Sequence, residues 1–113
     1  MKITIIYDNW EYDSRLKTDH GFSCLIEYND KRILFDTGAK PEIFQDNLKE
    51  LKIDINQFDL VFLSHFHLDH TGGFPVIYEK RKDLPVYIPI SFRQKISERF
   101  SEYPLEKIIP VSE

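Results

Sequence analysis

The chain has 113 residues, and 15 Lys and Arg against 19 Asp and Glu give a formal net charge of −4. Hydrophobic residues make up 42% and charged residues 30%, the balance of a single folded domain with its own core rather than a disordered segment. No run approaches the roughly 20 apolar residues of a membrane span, and no basic stripe is present to neutralise phosphates, which argues against nucleic acid as a partner.

The N-terminal run reaches Asp8 too early for a secretory signal. A lone cysteine, Cys24, leaves no internal disulfide and suits a reducing cytoplasm.

In chain order, isoleucine-rich residues 2–7 predict a strand. Asp8 to Asp19 is polar and irregular, a loop long enough to be functional, with Trp10 and Tyr12 inside it. Residues 20–28, the Asn29-Asp30 pair and residues 31–36 predict a hairpin on a two-residue turn. Its register follows from the letters: Glu27 opposes Arg32, Leu25 opposes Leu34, Ile26 meets Ile33, Cys24 meets Phe35 and Ser23 faces Asp36.

Pro41 suits a first helical position, and Ile43, Phe44, Leu48 and Leu51 form an apolar stripe behind it. Residues 59–64 are continuously apolar enough for a buried strand. A helix over 73–82 with Pro75 in its first turn follows, then a strand at Val86-Tyr87-Ile88. Ser91 and Gln94 form a capping-box pattern ahead of Ile96 and Phe100, and Ile108-Ile109 begins a last strand. Lys80-Arg81-Lys82 is read as a solvated helix end.

The dense chemistry lies after the strand at 59–64. His65-Phe66-His67-Leu68-Asp69-His70 packs four metal donors into six residues and contains three of the four histidines. Alternation in an extended segment lets His65 and His67 face one metal while Phe66 packs behind, and Asp69 and His70 face a neighbouring site after a bend. Neutral imidazoles with a carboxylate favour zinc, or manganese or iron, over calcium and magnesium. Asp36 reads as a turn former bonded to nearby amides. His20 and Asp8 are candidate substrate contacts at the site mouth, with Trp10 and Tyr12 lining a pocket or packing over the core. Cys24 falls on the apolar hairpin face and reads as inert core.

His65-x-His67-x-Asp69-His70, followed by Thr71-Gly72-Gly73 and preceded by Phe35-Asp36-Thr37-Gly38, resembles the metallo-β-lactamase superfamily of metal-dependent hydrolases. Tyr7-Asp8-Asn9 and Asp19-His20-Gly21-Phe22-Ser23 are similar to the branch that includes archaeal enzymes of methanopterin biosynthesis. The resemblance implies an α/β fold, a mixed β-sheet with flanking helices forming the N-terminal half of an αββα sandwich, in one half-domain over residues 1–113. It implies His65 and His67 on a first metal, Asp69 and His70 on a second, and a bridging water or hydroxide as nucleophile whose proton Asp69 steers. For Asp36 it implies the alternative of a carboxylate orienting a ligand histidine.

His67 stands where the di-iron flavoprotein branch has glutamate, which favours zinc hydrolysis. The second half of the sandwich, which supplies further ligands and covers the sheet, has no counterpart here. The expected activity is therefore that of a cytoplasmic zinc hydrolase, or its N-terminal half, on a small-molecule ester, thioester, lactone or phosphoester. A complementary C-terminal half chain, or a second copy in a homo-oligomer, is the expected partner. The alternatives are a non-catalytic oligomerising half-domain and a transferase-like condensation.

Overall fold

The computed structural model describes residues 1–112. Six strands form one mixed sheet in the order β1 (Lys2–Tyr7), β2 (Ser23–Tyr28), β3 (Lys31–Phe35), β4 (Leu60–Phe62), β5 (Val86–Pro89) and β6 (Ile108–Val111). The first three are antiparallel and the remaining pairings parallel. Parallel neighbours require crossovers. These carry α1 (Pro41–Glu50), α2 (Leu68–Thr71), α3 (Phe74–Tyr78) and α4 (Arg93–Arg99).

The hairpin forms in the expected register, with Glu27 opposite Arg32, Leu25 opposite Leu34, Ile26 opposite Ile33 and Cys24 opposite Phe35. Asn29 and Asp30 both have positive φ, 49° and 64°, as a type I′ turn demands and as Asn and Asp tolerate. The β2 strand begins at Ser23 and not at His20, because the chain just before it is committed elsewhere. Phe22 donates its amide to Asp69 O at 3.2 Å and accepts from Gly38 N at 3.0 Å, so its backbone ties loops together instead of extending the ladder.

Alternation divides the sheet into two unequal faces. One register row, Thr4, Leu25, Leu34, Val61, Val86 and Ile108, is buried beyond Thr4. It packs beneath Phe44 and Leu48 of α1, Phe74 and Ile77 of α3, and Ile96 and Phe100. Phe74 sits at the centre of an aromatic cluster, 5.1 Å from the ring centroids of both Phe100 and Tyr103. The opposite rows are also apolar: Ile3, Ile26, Ile33 and Leu60, then Ile5, Cys24, Phe35, Phe62, Tyr87 and Ile109. Ile3 is 54% exposed and Ile5 37%, while Phe35 and Phe62 stack at 5.6 Å and are half-buried. The helices thus cover one face of a sheet that is greasy on both.

Three helical expectations shift. The helix expected over 73–82 is confined to Phe74–Tyr78, and a separate turn, α2, precedes it inside the ligand run. Two adjacent glycines separate the two turns, and Pro75 lacks the N–H that would join them. Beyond Tyr78, Arg81 turns inward, donating to Ile55 O at 3.0 Å and pairing with Asp83 at 2.9 Å. Finally, α4 starts at Arg93 behind a single 3₁₀ turn, Ile90–Phe92, and has no side-chain N-cap. The Gln94 side chain donates to Glu98 Oε1, one turn on, at 3.0 Å.

Among the described residues no helix is long and apolar enough to cross a membrane.

Candidate metal centre

The two loops that leave β3 and β4 at their C-terminal ends build the centre, the edge of an α/β sheet where ligands commonly bind. Asp36 leaves β3 in the left-handed region, φ 58°, with its amide donating to Phe62 O at 2.9 Å. That turn aims a fully buried carboxylate at the ligand run. Its Oδ1 accepts from Ser64 N at 2.7 Å, and its Oδ2 faces Ser64 Oγ at 2.5 Å and His70 Nδ1 at 2.7 Å. Asp36 is therefore both the turn former and the group that orients a histidine.

The following residues staple the two loops together. Thr37 N donates to His70 O at 2.8 Å, and Gly73 N donates to Thr37 Oγ1 and Gly38 O, each at 3.1 Å. The approach leaves no room for side chains. A Cβ on Gly72 would lie 1.9 Å from Ala39 O, and one on Gly38 (φ 71°) would lie 2.3 Å from the Tyr7 ring. Here the Asp-Thr-Gly and Thr-Gly-Gly runs meet backbone to backbone.

His67 is extended, φ −129° and ψ 144°, and serves as N-cap to α2. The His65 ring centroid lies 4.6 Å from that of His67 and 4.1 Å from that of His70, while Phe66 packs back against the core. One ligand atom each from His65, His67 and Asp69 falls within a mutual 4.8 Å. Asp69 Oδ2 is also 3.5 Å from His70 Nε2 and 3.1 Å from His20 Nε2. Atoms of Asp36, His65 and His70 satisfy the same 4.8 Å spacing. The Asp36 carboxylate, however, already faces three donors, an arrangement that suits a group orienting His70 better than a ligand.

Burial above all, and then the neighbouring His70 and His67, push the His65 pKa below its ordinary value. The shift favours the neutral imidazole, the form that binds metal. Imidazoles together with the Asp69 carboxylate make a donor set that fits a borderline divalent cation.

The remaining expected contacts divide. His20 is mostly exposed yet reaches Asp69, and Asn9 Nδ2 lies 3.3 Å from its Nδ1. Asp8 accepts from Asn9 N at 2.7 Å and lines a hollow of about 160 Å³ with Trp10, Tyr12 and Leu16, away from the histidines. Cys24 is buried, which raises its thiol pKa, as does Asp36 to a lesser degree. Two polar residues were not anticipated. Ser64 joins Asp36 to His65, with its Oγ 2.9 Å from His65 Nδ1. A hydroxyl immediately before a ligand histidine is the only hint the letters offer. Asn47, buried on α1, bonds Ile6 O at 2.8 Å and Lys17 O at 2.9 Å, tying the N-terminal loop down.

Residues 16–109 match the family model described as the metallo-beta-lactamase superfamily. The chain is 40% identical over 89 residues to the 7,8-dihydropterin-6-methyl-4-(beta-D-ribofuranosyl)-aminobenzene-5'-phosphate synthase of Methanocaldococcus jannaschii, covering 74% of this chain and 30% of that protein. It is 33% identical over 96 residues to a probable RNase of the same organism, covering 82% of this chain and 21% of the relative. The chain thus spans less than a third of the length of these curated relatives. The structure of human tRNase Z, short form, superposes on all of this chain and 45% of its own with a TM-score of 0.67 at 20% identity, a likeness of fold. The chain belongs to the metallo-beta-lactamase superfamily.

Proposed function

We propose that this chain is the metal-holding portion of a metal-dependent hydrolase acting on an ester, thioester, lactone or phosphoester. The observation that carries the reading is the meeting of His65, His67 and Asp69 donor atoms within 4.8 Å of one another, beside a His70 whose Nδ1 is held at 2.7 Å by Asp36. Such preorganisation on loops at strand ends suits a centre that holds its geometry through a reaction. Zinc is the preferred ion, in one or two sites, with manganese or iron as alternatives. A bound cation of this kind supplies a Lewis acid and lowers the pKa of coordinated water.

The chain's own contribution is positional. His65 and His67 present ligand atoms from a backbone pinned by Ser64 and Thr71. Asp69, whose Oδ2 lies between His20 Nε2 and His70 Nε2 at 3.1 and 3.5 Å, is placed to ligate and to accept a proton from the attacking water. His20, at the exposed rim, is a contact for substrate.

Catalytic zinc normally takes three protein ligands: one ion could take them from His65, His67 and Asp69, whereas two ions sharing these donors with His70 would each be left short. The proposal therefore includes a partner that completes the centre and covers the apolar sheet face: a complementary C-terminal half, or a second copy of this chain. Within the substrate class, similarity to a protein named as a probable RNase supports a phosphoester, whereas the net charge of −4 favours a small one over a polynucleotide. A second reading, a condensation of the transferase type, is supported by the 40% identity to the synthase of Methanocaldococcus jannaschii.

The deciding experiment measures zinc per chain and molar mass together, then assays p-nitrophenyl esters and bis-p-nitrophenyl phosphate with the chain alone and with a supplied C-terminal half. Zinc-dependent hydrolysis appearing on complementation, and lost in the His65→Ala/His67→Ala double variant, is the expected result. Zinc uptake unchanged by that double variant overturns the reading.

A further inference from the structure

We propose that Ser64 is a positioning residue that relays the Asp36 carboxylate to His65, so that His65, like His70, carries its proton on Nδ1 and presents a bare Nε2 outward. This rests on the metal-centre reading for its purpose, but the proton assignment stands on geometry alone.

The argument counts protons. A carboxylate only accepts hydrogen bonds. At 2.5 Å from Asp36 Oδ2, the single hydroxyl proton of Ser64 is committed to that oxygen, a short charge-assisted bond. Ser64 Oγ then has only lone pairs left for His65 Nδ1, which lies 2.9 Å away. That contact is a hydrogen bond only if Nδ1 carries the proton. His70 Nδ1 stands 2.7 Å from the same Oδ2 and must likewise donate. One buried carboxylate, with 0% of its side chain exposed, therefore sets two imidazoles: His70 directly and His65 through a hydroxyl. The Ser64 amide, donating to Oδ1 at 2.7 Å, fixes the residue that carries the relay.

The spacing explains why a hydroxyl is needed. Asp36 reaches over from the neighbouring strand end, and His70 already lies against Oδ2. His65, whose ring centroid is 4.1 Å from that of His70, reaches the carboxylate through the Ser64 hydroxyl. Outer partners of this kind fix the tautomer and ring orientation of ligating histidines.

The test uses the full chain, ¹⁵N-labelled and metal-free, at a pH where its imidazoles are neutral, with tautomers read from long-range ¹H–¹⁵N correlations of the histidine rings. His65 and His70 are expected to show a protonated Nδ1 and a bare Nε2. In Ser64→Ala, His65 is expected to move toward the Nε2–H form while His70 keeps its pattern, and Ser64→Thr, which retains the hydroxyl, restores the parent spectrum. A protonated Nε2 on His65 of the parent chain overturns the proposal without any variant being made. So does a folded Ser64→Ala chain with His65 unchanged. A zinc titration of the same samples separates the two readings. Ser64→Ala is expected to weaken zinc binding roughly 10–100-fold, the usual consequence of losing such a partner, and equal affinity overturns the relay. A parent chain with the stated tautomers but no zinc affinity upholds the relay and sinks the metal-centre reading instead.

Discussion

Asp36 concentrates most of the centre's organisation in one side chain. Buried groups are normally kept neutral or paired, and this carboxylate meets three donors from Ser64 and His70. Replacing it by asparagine preserves shape but puts an NH₂ where a second acceptor is needed, turning it against Ser64 or His70. We expect Asp36→Asn to lower zinc affinity by roughly 10–100-fold, measured by competition with a chromophoric chelator, with the secondary structure retained in circular dichroism. The two readings of Asp36 from its position, orienting group or turn former, prove compatible because φ 58° is what points the carboxylate across to the neighbouring strand.

At the scale of elements, the hairpin and the last helical crossover make separate predictions. The turn holds Asp30 at φ 64°, a conformation that glycine adopts without penalty. Asp30→Gly is expected to stabilise the chain by about 0.5 kcal/mol, raising Tm by roughly 2–4 °C; a lower Tm would contradict the turn type.

Tyr103 packs against Phe74 and donates to Leu84 O at 2.5 Å, fastening the segment after α4 to the approach to β5. Burial pushes its phenol pKa up to about 12. A folded pKa raised above the unfolded value of about 10 means the stabilisation is complete below pH 10 and is lost as pH climbs toward 12. Tyr103→Phe should therefore cost about 1 kcal/mol at pH 7 for the lost hydrogen bond, and the deficit should shrink above pH 10. Denaturant melts at pH 7 and 11 check both signs.

For the molecule as a whole, the two-sided apolar sheet is the dominant fact. Ile3, Ile5, Ile33, Phe35 and Phe62 lie on the face that carries no helix, and an apolar patch of this continuity favours association. The isolated chain is expected to bind a hydrophobic dye and to associate with rising concentration in sedimentation velocity. Ile33→Lys, placed at the centre of that face opposite Ile26, should weaken both. A monodisperse monomer that binds no dye would contradict this account of the face.

Local chemistry made much of this legible from the letters. The hairpin register followed from period-two alternation and charge pairing across Glu27 and Arg32, because neighbours across a turn are determined by neighbours along the chain. The density of donors from His65 to His70 marks a candidate metal centre for the same reason, since its donor atoms come from one short run. What required the tertiary structure were contacts between residues distant in sequence. Ser64 meeting Asp36 and Gly72 lying against Ala39 depend on how β3 and β4 are set side by side, and His20 reaching Asp69 and Asn47 tying Lys17 depend on where the loop between β1 and β2 lies. The start of β2 and the end of α3 are decided in the same way: competing backbone bonds from another loop limit the strand, and inward capture of Arg81 marks the segment beyond the helix. Periodicity reports which face a residue occupies, whereas only packing decides which partner it meets there.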